Sequence, residues 1–191
     1  MRLFVALEIP AGVRDNLAAL VQELRTLTQE ARDNRPRWAR AENLHVTLKF
    51  IGEVARERLD GIRGALAAVR SERPADLAFR GLGFFPNERH PRIFWAGIGT
   101  SENLQSLAAE IDRSLEAFGV ARERRAFAPH LTLARFQPPG LPEKLRSAIQ
   151  REIAREFGSL HTHEFHLIES RLKSSGAEYT RIATFPFATE A

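Results

Sequence analysis

The chain of 191 residues contains no cysteine, and this absence excludes disulfides, thiolate nucleophiles and cysteine zinc sites. No apolar run approaches the roughly 20 residues that a membrane-spanning helix needs, so we expect no membrane partner. The first ten residues hold only a short apolar stretch before Glu8, which does not fit a secretory signal. We therefore expect a cytoplasmic protein.

Lysine is scarce as well, since it occurs only at Lys49, Lys144 and Lys173 although 28 residues are lysine or arginine. The formal net charge of +4 favours an anionic partner in general. The basic residues are spread along the chain, however, and a compositional bias toward arginine explains them as well as phosphate recognition does. With 43% hydrophobic residues, the chain has the composition and length of a globular protein with a sizeable core.

Two short segments of the chain are nearly identical, His45-Val46-Thr47-Leu48 and His130-Leu131-Thr132-Leu133. Side chains alternate between the faces of a β-strand, so each histidine shares a face with its threonine while the apolar residues point to a core. A single His-x-Thr sequence arises by chance in many strands, and its histidine is often only a partly buried structural residue. Two copies at equivalent places of a repeat indicate a functional pair.

The repeat extends beyond these motifs. Residues 2–6 and 92–96 read Arg-Leu-Phe-Val-Ala and Arg-Ile-Phe-Trp-Ala, and each opens an apolar run typical of a buried strand. Each half then follows the order strand, helix, strand, helix, strand, and one more strand is expected around 179–187. The spacing of apolar residues predicts the helices at 13–27, 59–69, 104–118 and 145–157.

These patterns predict an α/β (α+β) fold in a single two-lobed domain over residues 1–191, with pseudo-symmetric repeats of about 1–88 and 89–191. Each lobe is expected to hold an antiparallel or mixed sheet with helices outside it. Two similar halves packed side by side place equivalent strands across a pseudo-twofold axis. One His-x-Thr strand from each lobe then borders a central cleft.

Two facing histidines are typical of acid-base chemistry. One neutral imidazole takes a proton from a nucleophile, while a second, protonated imidazole gives one to a leaving group. The hydroxyls of Thr47 and Thr132 would donate hydrogen bonds to a phosphoryl oxygen held between the imidazoles. The pattern therefore predicts phosphodiester cleavage, and its symmetry leaves open which histidine is the acid.

The segments around the motifs carry a resemblance to a known family. They are 38–44 before His45, 50–54 after it, 85–86 before the second half, 127–129 before His130, and at the C-terminus 170–172, Gly176 and Tyr179. With these residues nearly the whole chain resembles the two-histidine phosphoesterases, and within them the RNA 2′,3′-cyclic phosphodiesterases, historically called 2′-5′ RNA ligases.

The resemblance implies metal-independent hydrolysis of a 2′,3′-cyclic phosphate, at an RNA end or in a cyclic nucleotide. The product is a 2′-phosphomonoester, and reversible 2′-5′ joining is implied as a side activity. In that scheme His130 is the proton acceptor that activates water, and His45 is the proton donor to the departing O3′. No cofactor is implied, and we expect a monomer.

Arg135 and Phe50 each follow their histidine by five residues. By the resemblance, Arg135 contacts the phosphate and Phe50 stacks on a nucleobase. Strict alternation would place both on the face opposite their histidine, so these roles require a β-bulge or a strand end near Lys49 and Ala134. For Phe50, core packing is an equally good interpretation, whereas a core-facing arginine would need a buried partner.

Two other classes of function stay open. A non-catalytic module that binds RNA ends or nucleotides would keep the cleft, Arg135 and the threonines, but it would not need both histidines. A phosphodiesterase for another cyclic or 2′-5′-linked nucleotide would keep all four motif residues.

A metal site is a weaker interpretation of a second histidine cluster, which consists of His161, His163 and His166 around Glu164. A His-x-His pair places two imidazoles on one strand face, but no matching ligand group exists elsewhere in the sequence. The cluster fits a polar strand edge that leads into a C-terminal hairpin.

Overall fold

The computed structural model describes residues 1–28, 36–71, 73–100, 102–137, 141–174 and 176–187. Over these residues the chain mixes helices and strands, as predicted. The strands are β1 (Arg2–Glu8), β2 (Arg37–Trp38), β3 (His45–Glu53), β4 (Ala75–Phe85), β5 (Ile93–Thr100), β6 (His130–Arg135), β7 (Glu156–Thr162), β8 (Glu164–Lys173) and β9 (Gly176–Pro186). The α-helices are α1 (Ala11–Thr26), α2 (Leu59–Ala67), α3 (Glu102–Ser114) and α4 (Glu143–Arg151). Short 3-10 helices cover Ala41–Asn43, Arg56–Arg58 and Glu116–Phe118.

The strands form two antiparallel sheets. The first sheet has the order β3-β1-β8-β9, and the second has the order β2-β6-β5-β4-β7. The motif strands β3 and β6 lie in different sheets, and they contact each other at the junction between the sheets. Each motif strand pairs with the first strand of its own half, β3 with β1 and β6 with β5.

The sheets and the sequence repeat divide the chain differently. Strand β4 of the first half pairs with β5 in the second sheet, and β8 of the second half pairs with β1 in the first sheet. The first half therefore lends β4 to the second sheet, and the second half lends β8 and β9 to the first sheet. This exchange ties the two halves of the sequence together, which side-by-side packing of two halves would not do.

Helix α1 shows how apolar spacing directs the packing. Its inward residues recur every three or four positions and are buried, namely Val13, Leu17, Leu20, Val21 and Leu24. The helix packs against β7, where the side-chain amide of Asn16 donates to the main-chain oxygen of Phe157 at 3.0 Å. Helix α2 packs against β9 and α3. None of the described helices is both long and apolar enough to cross a membrane.

The helix predicted over 145–157 ends at Arg151, so this prediction is wrong in its second half. The residues after the helix form β7, which pairs with β4. Just before β7, the carbonyl of Ile153 accepts a hydrogen bond from the main-chain N–H of Leu82 at 2.9 Å. Pairing with β4 satisfies this backbone and overrides the helical spacing.

The larger of the two hydrophobic clusters in the described part of the chain lies between the helices and both sheets. It includes Val46 and Leu48 of β3 together with Leu131 and Leu133 of β6, and all four are buried. The motif residues that alternate with them face away from this shared core. Each His-x-Thr set therefore lies on the face of its own sheet that points away from this core, which we call the open side.

Candidate active site

A β-bulge interrupts the first motif strand at Leu48. Ala6 of β1 lies opposite Thr47 and Val5 lies opposite Lys49, so the extra residue has no partner on β1. A bulge of this kind reverses the alternation of side chains beyond it. Leu48 and Lys49 are therefore both buried on the core side.

The same bulge brings Phe50 to the face of His45. Phe50 lies opposite Phe4, and His45 lies opposite Glu8. Because Phe4 and Glu8 share a face of β1, their partners share that face of β3. The side chain of Phe50 is 67% exposed, which excludes the core packing that the sequence left open.

The second motif strand repeats this geometry. The register between β5 and β6 shifts between Phe94, which lies opposite Ala134, and Trp95, which lies opposite Thr132. This leaves Leu133 without a partner on β5. Beyond the bulge, Arg135 shares the face of His130 and Thr132. Its side chain is exposed on the open side of the sheet.

Both motif imidazoles are anchored in the same way. Nδ1 of His45 lies 2.8 Å from the main-chain oxygen of Asn43, and Nδ1 of His130 lies 2.8 Å from that of Ala128. A carbonyl oxygen only accepts hydrogen bonds, so each Nδ1 carries a proton and donates it. Nε2 of each ring is then free to act as a base when unprotonated and as an acid when protonated.

Aromatic rings enclose His45. The ring of Phe4 lies 4.6 Å from the imidazole, and Tyr179 of β9 contacts it edge-on at 5.1 Å. Burial lowers the pKa of His45, although the hydrogen bond to the oxygen of Asn43 acts in the opposite direction. The free protein therefore favours a neutral His45, whereas a phosphate anion beside the ring would favour the charged form.

The hairpin of β8 and β9 is tied to the segment that precedes His45. The side-chain amide of Asn43 donates to the main-chain oxygen of Ala177 at 2.8 Å. Asn43 thus orients the imidazole with its carbonyl and holds the hairpin with its side chain. This contact fixes the strand from which Tyr179 reaches His45.

The surroundings of His130 come from β4 and β5. The ring of Phe85 contacts the imidazole edge-on at 5.0 Å and packs on Trp95 at 5.3 Å. A Cβ atom at Gly83 would lie 2.3 Å from the indole ring, so only glycine leaves room for Trp95 there. Gly83 and Trp95 together support the ring that borders His130.

The polar contacts beside the first motif were not predictable from the sequence. The carboxylate of Glu8, which lies opposite His45, accepts hydrogen bonds from Arg181 through both oxygens at 2.6 Å. Nδ1 of His166 lies 3.0 Å from the hydroxyl of Thr184. These residues come from β1, β8 and β9, so no local pattern in the sequence indicates their contact.

The second histidine cluster of the sequence is divided between the two sheets. His161 lies on β7, with Nδ1 2.7 Å from a carboxylate oxygen of Asp76. The interpretation as a polar strand edge is wrong for His166, which is only 3% exposed within β8 of the first sheet. Within the described ranges, no group of three or more His, Cys, Asp or Glu side chains is placed to hold a metal ion.

Two sheets on one core, with two bulged His-x-Thr strands and matching imidazole anchors, define a two-histidine phosphoesterase. Both the His-x-Thr residues on the open side and the order of the strands in the two sheets support this assignment. The chain belongs to the 2′-5′ RNA ligase superfamily, whose sequence model matches residues 13–173.

Relatives of known name span almost the whole chain. An RNA 2′,3′-cyclic phosphodiesterase of Methanothermobacter thermautotrophicus is 31% identical over 97% of this chain and 98% of its own. The protein of that name from Archaeoglobus fulgidus is 31% identical over 97% of this chain and 99% of its own.

Solved structures show the same fold. The crystal structure of TT0787 of Thermus thermophilus is 32% identical and superposes with a TM-score of 0.74 over 98% of both chains. Escherichia coli LigT complexed with 3′-AMP is 25% identical, with a TM-score of 0.72 over 97% of both chains. The family and the fold class predicted from the sequence are confirmed.

Proposed function

We propose that this protein hydrolyses 2′,3′-cyclic phosphate ends of RNA to 2′-phosphomonoesters by two-histidine acid-base catalysis. The matched pair of anchored imidazoles, His45 and His130, is the observation that carries this proposal. The names of the relatives from Methanothermobacter thermautotrophicus and Archaeoglobus fulgidus support the substrate class.

In the proposed mechanism, Nε2 of His130 takes a proton from water while the water oxygen forms a bond to phosphorus. The P–O3′ bond breaks, and Nε2 of His45 gives its proton to O3′. The bond from phosphorus to O2′ stays intact, so the product is a 2′-phosphomonoester. The step balances with water and the cyclic ester alone, and the two imidazoles exchange their protonation states.

The residues on the histidine faces would bind the substrate. The hydroxyls of Thr47 and Thr132 would donate to the non-bridging phosphoryl oxygens, and Arg135 would stabilise the negative charge on them. The exposed ring of Phe50 offers a surface on which the terminal base can stack. The two threonines reach the open face by the alternation of the strand, and Phe50 and Arg135 reach it because of the bulges.

The role of His45 as the acid depends on the bound substrate. Burial lowers its pKa in the free protein, which opposes the protonated form. The phosphate anion restores that form through its charge. One protonated and one neutral imidazole are then required, so we expect a bell-shaped dependence of kcat/KM on pH.

The same pair of histidines would catalyse 2′-5′ joining of RNA. The 5′-hydroxyl of a second RNA would take the place of water, and attack on phosphorus would leave a 2′-5′ linkage. Both histidines come from one chain, so we propose that residues 1–191 act as one two-lobed domain and as a monomer. The cytoplasm, where RNA is processed, is the proposed compartment.

Hydrolysis of an RNA oligonucleotide with a 2′,3′-cyclic phosphate end, in excess chelator, tests the proposal. Wild type is compared with His45→Ala and His130→Ala, and with His161→Ala as a control at a histidine whose side chain is 66% exposed on β7. We expect a 2′-phosphate product and a loss of roughly 10²-fold or more in both site variants only.

The other outcomes separate the alternatives. Binding of the RNA without turnover by wild type would favour the non-catalytic module. If the enzyme cleaves only other cyclic or 2′-5′-linked nucleotides, these and not RNA ends are its substrates. A 3′-phosphate product would contradict the proposed cleavage of the P–O3′ bond.

A further inference from the structure

Arg37 lies directly opposite Arg135 on the neighbouring antiparallel strands β2 and β6. The next residue, Trp38, lies opposite Ala134, and its ring packs edge-on against the buried ring of Phe94 at 6.4 Å. Successive side chains of a strand point to opposite faces. With Trp38 on the core side, Arg37 stands on the open face beside Arg135.

Strand β2 is short, but its backbone is held in place. The main-chain N–H of Ala39 donates to the carbonyl of Leu133 at 2.8 Å, and Pro36 before the strand is buried. β2 forms the edge of the second sheet, one strand further from β5 than β6 is. Neighbouring strands lie about 4.8 Å apart, so Arg37 lies one strand away from Arg135, at the edge of the second sheet.

The two facing arginines need a negative partner. Like charges directly opposite each other on neighbouring strands destabilise a sheet. Arg181 on the first sheet shows the usual solution, because it forms an ion pair with Glu8 at 2.6 Å. Arg37 and Arg135 are both exposed, and within the described part of the chain neither lies beside a carboxylate. A bound anion on this face would relieve their repulsion.

We propose that Arg37 binds the phosphodiester on the 5′ side of the terminal nucleotide, while Arg135 serves the cyclic phosphate. This inference rests on the proposed function. RNA that ends in a 2′,3′-cyclic phosphate continues only in the 5′ direction, so a second phosphate comes only from that side. The planar guanidinium of Arg37 matches the geometry of that phosphate. Arg37 thus makes the site prefer RNA ends to free cyclic mononucleotides.

Two substrates distinguish binding of the 5′-side phosphodiester by Arg37 from a contact of Arg37 with the reacting phosphate. One is an oligonucleotide with a 2′,3′-cyclic phosphate, and the other is the cyclic mononucleotide with a free 5′-hydroxyl. For Arg37→Gln we expect kcat/KM to fall about tenfold on the oligonucleotide, mainly through KM, and to stay within about twofold on the mononucleotide. Arg63→Gln, which replaces an exposed arginine on α2, is the matched control.

A third substrate tests the contact without any substitution in the protein. Replacing the first internucleotide phosphate by a neutral methylphosphonate should lower kcat/KM of the wild type as much as Arg37→Gln does. The same replacement should lower kcat/KM of Arg37→Gln little further. Equal losses on the oligonucleotide and the mononucleotide would overturn the proposal by placing Arg37 on the reacting phosphate. No loss on either substrate would overturn it as well. A wild type that cleaves neither substrate would refute the proposed function, and this proposal with it.

Discussion

The ammonium group of Lys49 on β3 donates to the carboxylate of Asp112 on α3 and to the main-chain oxygen of Ala121 at 2.6 Å. The side chains of the pair are only 6% and 14% exposed. The same carboxylate accepts a hydrogen bond from the main-chain N–H of Glu123 at 3.2 Å. The pair therefore connects the bulge of the first motif strand to the segment that leads into the second.

Removing one charge of this pair should destabilise the protein strongly. In Asp112→Asn the ammonium of Lys49 stays buried without its counter-charge, and we expect the free energy of unfolding to fall by about 3 kcal/mol in urea titrations. The double variant Lys49→Met/Asp112→Leu should recover much of this loss, because it buries no unpaired charge. A double variant no more stable than Asp112→Asn would contradict the ionic explanation. Glu110→Gln, which removes an exposed pair with Arg113, should cost less than about 1 kcal/mol.

Tyr179 should control the protonation of His45. Its ring covers one side of the imidazole, and burial lowers the pKa of that imidazole. We expect Tyr179→Ala to admit water and to raise the pKa of His45 toward its usual value, measured by NMR titration of the imidazole C–H signals. Tyr179→Phe keeps the ring and should leave the titration unchanged. An unaltered pKa in Tyr179→Ala would show that Phe4 and the strands alone keep water away.

Short-range periodicity was enough to predict most elements and both motif strands. It failed over 152–157, where pairing with β4 decides the conformation instead of the apolar spacing. The exchange of β4 and β8 between the sheets was not predictable from one sequence. The residues of a strand show which face is buried, but they do not show which strand lies beside it.

The bulges illustrate a signal that the sequence carries only in part. In β6 the bulge places Leu133 and Ala134 next to each other on the buried side, and two successive apolar residues are a readable sign of it. In β3 the second buried residue is Lys49, and because lysine is charged, the sequence shows no pair of successive apolar residues there. Its partner Asp112 is 63 residues away, so the burial of Lys49 becomes clear only in three dimensions.

The buried His166 gives the fold a dependence on pH. Burial lowers its pKa, while the charges of Glu8 and Glu164 raise it and that of Arg181 lowers it. In the unfolded chain a histidine has a pKa of about 6.5. As the pH falls below this value, the unfolded chain binds the proton before the folded protein does. The contribution of the neutral His166 to the free energy of unfolding is therefore fully present above about pH 6.5. It is lost as the pH falls through the pKa of His166 in the folded protein.

Replacing His166 should make stability less sensitive to acid. We expect the free energy of unfolding of wild type, measured in urea between about pH 7.5 and about pH 5, to fall more steeply than that of His166→Asn. The variant should keep part of the decline, because burial also lowers the pKa of His45. His90→Asn, at an exposed loop histidine, should follow the wild-type curve. The variant is expected to be less stable at every pH because it loses a buried ring, so the slope is the informative quantity. Parallel curves for wild type and His166→Asn would assign the acid sensitivity to other groups.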